Sequence, residues 1–205
     1  KLDKLTELID LKKEAIWKNE ELTKSVFQEM FGDPIENPKR WEIWTFWDWI
    51  SVLTDYHANW SYEILRDNVT LLSEPNYAYM VRTTDLENQE FTNGVKYIDE
   101  HAYNFLSKTK VYGGEIIINK IWSAWEVYLM PFLEKKASLW MNAFLIRTKP
   151  DVLIELFAYF YLKNPSIKKL IESKVLWAVT KTITKDAIRS IKFYFPPYAL
   201  QQKFI

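Results

Sequence analysis

The first 31 residues constrain the fold most, because they can form only a rod that needs a neighbour. Leu2, Leu5, Ile9, Ile16, Val26 and Met30 recur at three- and four-residue spacing, and Lys12, Asn19 and Thr23 fill the remaining seam positions. Gly32 follows the last turn, where a left-handed residue ends a helix, and Pro34 blocks continuation. At about 1.5 Å per residue such a helix is roughly 45 Å long. Its interrupted apolar stripe calls for a partner helix, in this chain or another. The pattern predicts a spacer-type or coiled-coil helix over 1–31 and a separate domain over 32–205.

From Asp33 the periodicity changes. Short β-rich runs at 50–53, 62–64, 78–82, 95–98, 115–119, 126–129 and 143–147 alternate with turn signals, Asn93-Gly94 and Gly113-Gly114 among them. Helical patterns then return at 152–162 and 166–174, the second opened by Asn164-Pro165 as N-cap and first-turn proline. Thr184 is placed to cap a short helix through Arg189, and a last strand over 190–195 runs into Pro196-Pro197. Strands first and helices after predict an α+β fold, with a long N-terminal helix, a mixed β-rich domain and C-terminal helices.

Composition removes several functions. The sequence has no cysteine, which excludes disulfides, thiol catalysis and Cys-based zinc sites and fits a reducing cytoplasm. Its two histidines, His57 and His101, are far apart, and its apolar runs are far too short to span a membrane. Net charge is zero but unevenly spread. Residues 1–31 carry 6 basic and 7 acidic groups, residues 32–99 carry 5 and 12, and residues 100–205 carry 16 and 8, giving −1, −7 and +8. Either folding leaves a basic face suited to phosphates, or it interleaves the two halves and cancels the dipole.

No catalytic set is legible. Pro196-Pro197-Tyr198 resembles part of the base-binding loop of DNA amino-methyltransferases. The residue before it, however, is Phe195, which cannot accept a hydrogen bond from an amino group, and no glycine-rich cofactor loop is present. The prolines read as a strand terminator. Asp85, Glu87 and Glu90 read as a solvated turn, and Glu115 and Lys120 lack nuclease spacing. No enzyme activity and no cofactor or metal are expected.

Longer segments carry a family resemblance. LTKSVFQEMFGDP (22–34), NPKRWEI (37–43), YGGEIIINKI with EVYLM (112–130) and AVTKTITKDAIRSIKFYFPPYALQQKFI (178–205) resemble, in order and spacing, a target-recognition domain and its adjoining helix in type I restriction-modification specificity subunits. That resemblance implies sequence-specific recognition of double-stranded DNA by a non-catalytic subunit. Its partners would be methyltransferase (modification) subunits, a restriction subunit reached through the complex, and a partner helix from a second half or second chain. The same domain could instead be the recognition portion of a fused restriction-methylation enzyme. A helix-mediated scaffold that binds protein is a further alternative. Members of the family carry glycine at positions matching Trp47, Trp60, Trp122, Trp125, Trp140 and Trp177, whereas this chain has 10 Trp and only 4 Gly. Either the loops are rebuilt around aromatics, or Trp122, Trp125, Trp140 and Trp177 stand in glycine conformations and positive φ is expected at several of them.

DNA contacts are expected from polar loops. Residues 54–61 offer His57, Asn59 and Ser61; Arg82 and Thr83 follow a strand; Lys120 and Ser123 lie at a hairpin tip. Residues 180–185 alternate cation and hydroxyl through Lys181, Thr182 and Lys185. Lys181 or Lys185 is expected on phosphate, with a threonine or Asn59 nearer the bases.

Overall fold

The computed structural model describes residues 2–121, 126–173, 183–189 and 191–205. Helix α1 covers Leu2–Phe31 and closes on Gly32, whose N–H donates to the Gln28 carbonyl at 2.8 Å. Gly32 has φ of +74°, and a Cβ there would meet Pro38 Cγ at 2.5 Å, so both the backbone angle and the space demand glycine.

Strand β1 (Glu42–Thr45) leads through the single helical turn α2 (Phe46–Trp49) into β2 (Ile50–Asp55) and a 3₁₀ turn at Tyr56–Ala58. Next come α3 (Tyr62–Asn68), β3 (Ala78–Val81), α4 (Thr83–Asn88), β4 (Lys96–Ile98), α5 (Glu100–Phe105) and β5 (Lys110–Val111). The central strands are β6 (Ile116–Asn119), β7 (Val127–Leu129), β8 (Ala137–Leu139) and β9 (Ala143–Thr148). The chain then runs through α6 (Glu155–Leu162), α7 (Pro165–Glu172), α8 (Lys185–Arg189), β10 (Lys192–Phe195) and α9 (Tyr198–Phe204).

The strands form a two-stranded ribbon β1–β10 and two four-stranded sheets, ordered β2-β9-β6-β7 and β4-β3-β8-β5. The first of the larger sheets is antiparallel throughout; the second includes the parallel pair β3–β8. They pack face to face through Ile117, Leu145, Met130 and Ala143 on one side and Val81, Val111 and Leu139 on the other. The outer face of the first sheet, with Ile116, Ile118, Phe144 and Ile146, is covered by Phe157 and Tyr161 of α6 and Ile167 of α7. On the second, α3 and α5 cover Ala78, Met80 and Ile98 with Leu65, Ala102 and Tyr103. A strand sealed on both faces must be apolar at every position, which explains the unbroken Ile116-Ile117-Ile118 run.

Phe27 and Phe31 sit in the main core against Phe157 and against Phe204 of α9, with ring centroids 5.0–5.9 Å apart. The last turns of α1 are therefore part of the globular core. Farther along the helix, Leu22 and Leu11 are exposed.

The α+β reading holds, with corrections. Residues 62–64 are helical, in α3, which buries Leu65 and ends on the buried C-cap Val69. Helices are interleaved with the strands rather than confined to the end of the chain. Strands β1, β5 and β8 escaped the sequence reading. The helix expected from 152 begins at Glu155. The Asn164 cap on Ser166 N (2.9 Å) and the Thr184 cap on Ala187 N (3.1 Å) form as expected. Pro196 ends β10, and Pro197 is the N-cap of α9.

Trp47, Trp60 and Trp140 are absent from the positive-φ residues, so the glycine conformation is not required of them. Trp60 stacks on Phe105 (5.2 Å, 20°), Trp140 packs on Tyr56 (4.6 Å), and the Arg189 guanidinium lies 5.0 Å from the Trp47 ring. The loops at Trp60 and Trp140 are built around aromatic contacts, and Trp47 lies within α2. Trp122, Trp125 and Trp177 lie outside the described residues.

Candidate nucleic-acid interface

Strand pairing decides which loops meet. In the β2–β9 ladder Asp55 faces Phe144, and in the β6–β9 ladder Asn119 faces Ala143. The C-terminal ends of β2 and β6 therefore flank the start of β9. Val81 faces Leu139 in the parallel β3–β8 pair, so those two strands end together, and Trp140 N–H donates to the Val81 carbonyl at 2.8 Å. The turn from β8 to β9 joins the two groups. Residues 55–61, 82–84, 120 and 140–142 consequently gather at one end of the stacked sheets.

The start of α8 joins them: Ile183 N–H donates to the Lys120 carbonyl (3.2 Å), and Lys120 N–H to that of Asn142 (2.7 Å). Asn142 holds the turn with φ of +74°, a left-handed value that asparagine tolerates better than most residues. Four polar loops widely separated in sequence, at 55–61, 82–84, 120 and 183–185, are thus one surface together with the β8–β9 turn. Their proximity follows from sheet order, which local pattern does not encode.

At its centre, Lys120 Nζ donates to Asp55 Oδ2 at 2.5 Å and Lys185 Nζ to Asp55 Oδ1 at 2.7 Å. The Asp55 side chain is 10% exposed, that of Lys120 20% and that of Lys185 27%. Burial pushes the Asp55 carboxyl up, but the hydrogen bonds and charges of the two lysines outweigh it and hold the group below its ordinary value. Lys120 Nζ also lies 5.0 Å from the Phe144 ring centroid. Here an aspartate from the acidic half of the sequence meets two lysines from the basic half, so folding does interleave the charges at this point.

The remaining expected residues divide by what their side chains already hold. His57 is exposed on the 3₁₀ turn, beside the buried Tyr56. Ser61, exposed at the N-cap position of α3, makes no side-chain capping bond, so its hydroxyl is not consumed by the helix. Thr83 is half-buried in the first turn of α4.

Asn59 corrects the expectation of a residue near the bases. It is 7% exposed, and its Nδ2 donates to the Tyr56 carbonyl (3.0 Å) and Thr109 Oγ1 (3.1 Å). Its Oδ1 accepts from Lys108 N at 2.9 Å. An amide committed at both ends has little left for a base edge. Arg82 is likewise engaged, its guanidinium on Asp85 (2.5 Å) and on the Gly94 carbonyl (2.8 Å), which bind it to the 94 turn. Ser123, Lys181 and Thr182 lie outside the described residues.

Two nearby residues escaped the sequence reading. Asp55 lies in the 54–61 loop, where its role depends on Lys120 and Lys185, far away in sequence. Lys108, exposed, reaches the Ala58 carbonyl at 2.6 Å and borders the same loop. It is tied there by contacts to Ala58 and Asn59, about 50 residues away, so it had no local signal.

Comparison with known proteins then adds a family. The model of the type I restriction modification DNA specificity domain matches residues 63–205. The chain belongs to that family. Among solved structures, the HsdS subunit from Thermoanaerobacter tengcongensis aligns with 98% of this chain and 45% of its own at TM-score 0.59 and 14% identity. A chain from a study of complex assembly and conformational transition in the type I R-M system aligns over 98% and 46% at TM-score 0.61 and 15% identity. At such identities the likeness is one of fold. The DNA specificity domain described here spans a little under half the length of these chains. Comparison with curated proteins finds no match.

Proposed function

We propose that this DNA specificity domain is one target-recognition half of a type I restriction-modification specificity subunit. In this reading it binds one part of a duplex DNA site and carries out no chemistry itself. Residues 1–31 serve as the spacer helix, with a helix from a second half or second chain as neighbour, and residues 32–205 as the recognition domain. Methyltransferase subunits supply the catalytic machinery and bring in the restriction subunit, all within the cytoplasm.

The observation that carries the reading is the convergence of four polar loops from distant parts of the chain at one end of the sheets. Lys120 and Lys185 stand at its centre, with His57 and Ser61 exposed beside them. Rigid strands below polar loops suit the division of labour on DNA, in which cations on phosphate set register and shorter side chains meet base edges. The two alternatives stated from sequence gain no specific support from this arrangement.

The test is selection of duplexes from a random pool by the full chain, with methyltransferase subunits present, followed by affinities across salt concentrations. Lys185→Ala and Lys120→Ala should each weaken binding to all duplexes and make the log–log salt slope shallower by about one unit. Unchanged affinity and slope in both variants would move recognition away from this end.

A further inference from the structure

A protein that uses lysines on phosphate would ordinarily leave them free. Here both central lysines are tied to one carboxylate, each to its own oxygen, across 65 and 130 residues of sequence. The tie joins three elements: Asp55 ends β2, Lys120 follows β6, and Lys185 opens α8. The group carries one net positive charge, two ammoniums less one carboxylate. Each ammonium has three donors, so one spent on Asp55 leaves two. The two lysine side chains keep 20% and 27% of their surface exposed.

A free lysine is a point charge on a flexible stem and accepts a phosphate at many positions. A lysine held by a carboxylate offers its charge at one. We infer that Asp55 is a positioning residue for recognition: it fixes Lys120 and Lys185 and lowers their combined charge, so that sequence-independent attraction is weakened and phosphates bind in one register. This deepens the proposed function and rests on it, since it requires that this end of the domain face duplex DNA.

Non-specific binding to DNA is almost wholly electrostatic, whereas discrimination depends on register. Removing the carboxylate should therefore raise the first and lower the second. The experiment uses the full chain with two probes: the best duplex selected from a random pool, and a duplex of the same composition with scrambled sequence. Asp55→Asn takes the group from one net positive charge to two. It should tighten binding to the scrambled duplex, steepen the salt slope by about 0.9, and reduce the ratio of the two affinities about tenfold. Asp55→Glu, which keeps the carboxylate, should restore the original slope and most of the ratio.

The double variant Asp55→Asn with Lys120→Gln returns the net charge to one and leaves a single lysine facing a neutral amide. It should recover the slope but not the ratio, and it decides the matter if the single Asn variant fails to fold. A double variant that discriminates as well as the unaltered protein overturns the inference. So does an Asn variant that weakens both duplexes equally with no steeper slope, because Asp55 would then be only a joint between α8 and the sheet. If Lys120→Ala and Lys185→Ala leave binding and slope unchanged while the chain still selects a duplex, the location of the interface is wrong, and the inference falls with it.

Discussion

Asn59→Ala separates a structural amide from a reading one. Asn59 is 7% exposed, and its side chain makes three hydrogen bonds of 2.9–3.1 Å that tie the 3₁₀ turn to the segment 108–109. Truncation leaves Lys108 N–H without its partner, whereas the Tyr56 carbonyl still accepts from the residue 59 N–H at 3.2 Å and Thr109 Oγ1 still has Ser138 Oγ at 3.1 Å. An ordinary hydrogen bond contributes about 1 kcal/mol net, and a buried group left unpaired costs about 1–3 kcal/mol, so the expected loss is about 2–4 kcal/mol. In a domain of this size each kcal/mol moves Tm by about 2–4 °C, so a fall of about 4–16 °C is expected. Urea unfolding of the full chain measures the free energy directly, with an unchanged m-value if the native state keeps its compactness. DNA affinity at low temperature, where both proteins are folded, should change little. A stability loss below about 0.5 kcal/mol accompanied by relaxed preference at one base pair would refute the argument and return Asn59 to the bases.

Three further outcomes follow from the same geometry. Arg82→Ala strands the buried Asp85 carboxylate and should destabilise the fold by about 1–3 kcal/mol in urea unfolding, with little change in salt slope. Phe27→Ala removes the ring that packs on Phe31, Phe157, Tyr161 and Phe204. A loss of about 3–4 kcal/mol is expected, with hydrogen exchange accelerating in the last turns of α1 before it does so in β6. The depressed Asp55 carboxyl gives a pH test. A group whose folded pKa lies below its unfolded value stabilises above the unfolded value and loses that contribution as pH falls through the folded one. The lysine–aspartate group should therefore persist from neutral pH down through the ordinary carboxylate range and open only below it. Unfolding free energies of Asp55→Asn and the unaltered chain should then converge toward the acid limit.

Local sequence determined what local chemistry controls. The apolar spacing of α1, the left-handed stop at Gly32, the Asn164-Pro165 start of α7 and the Thr184 cap are each fixed by residues within one turn of one another. The 115–119 run was legible as a strand, but its cover on both faces was not. Family membership was legible too, because it rests on ordered segments rather than on contacts. Tertiary structure decided the site. Whether Asn59 faces bases or a neighbouring segment depends on Lys108 and Thr109, about 50 residues away, and whether Arg82 is free depends on the 94 turn. The charge asymmetry of the sequence became something different once β2 paired with β9 and set Asp55 between two lysines of the opposite half. Hydrogen bonding and packing between strands distant along the chain set these relations, and residue type and spacing carry no record of which strands will pair.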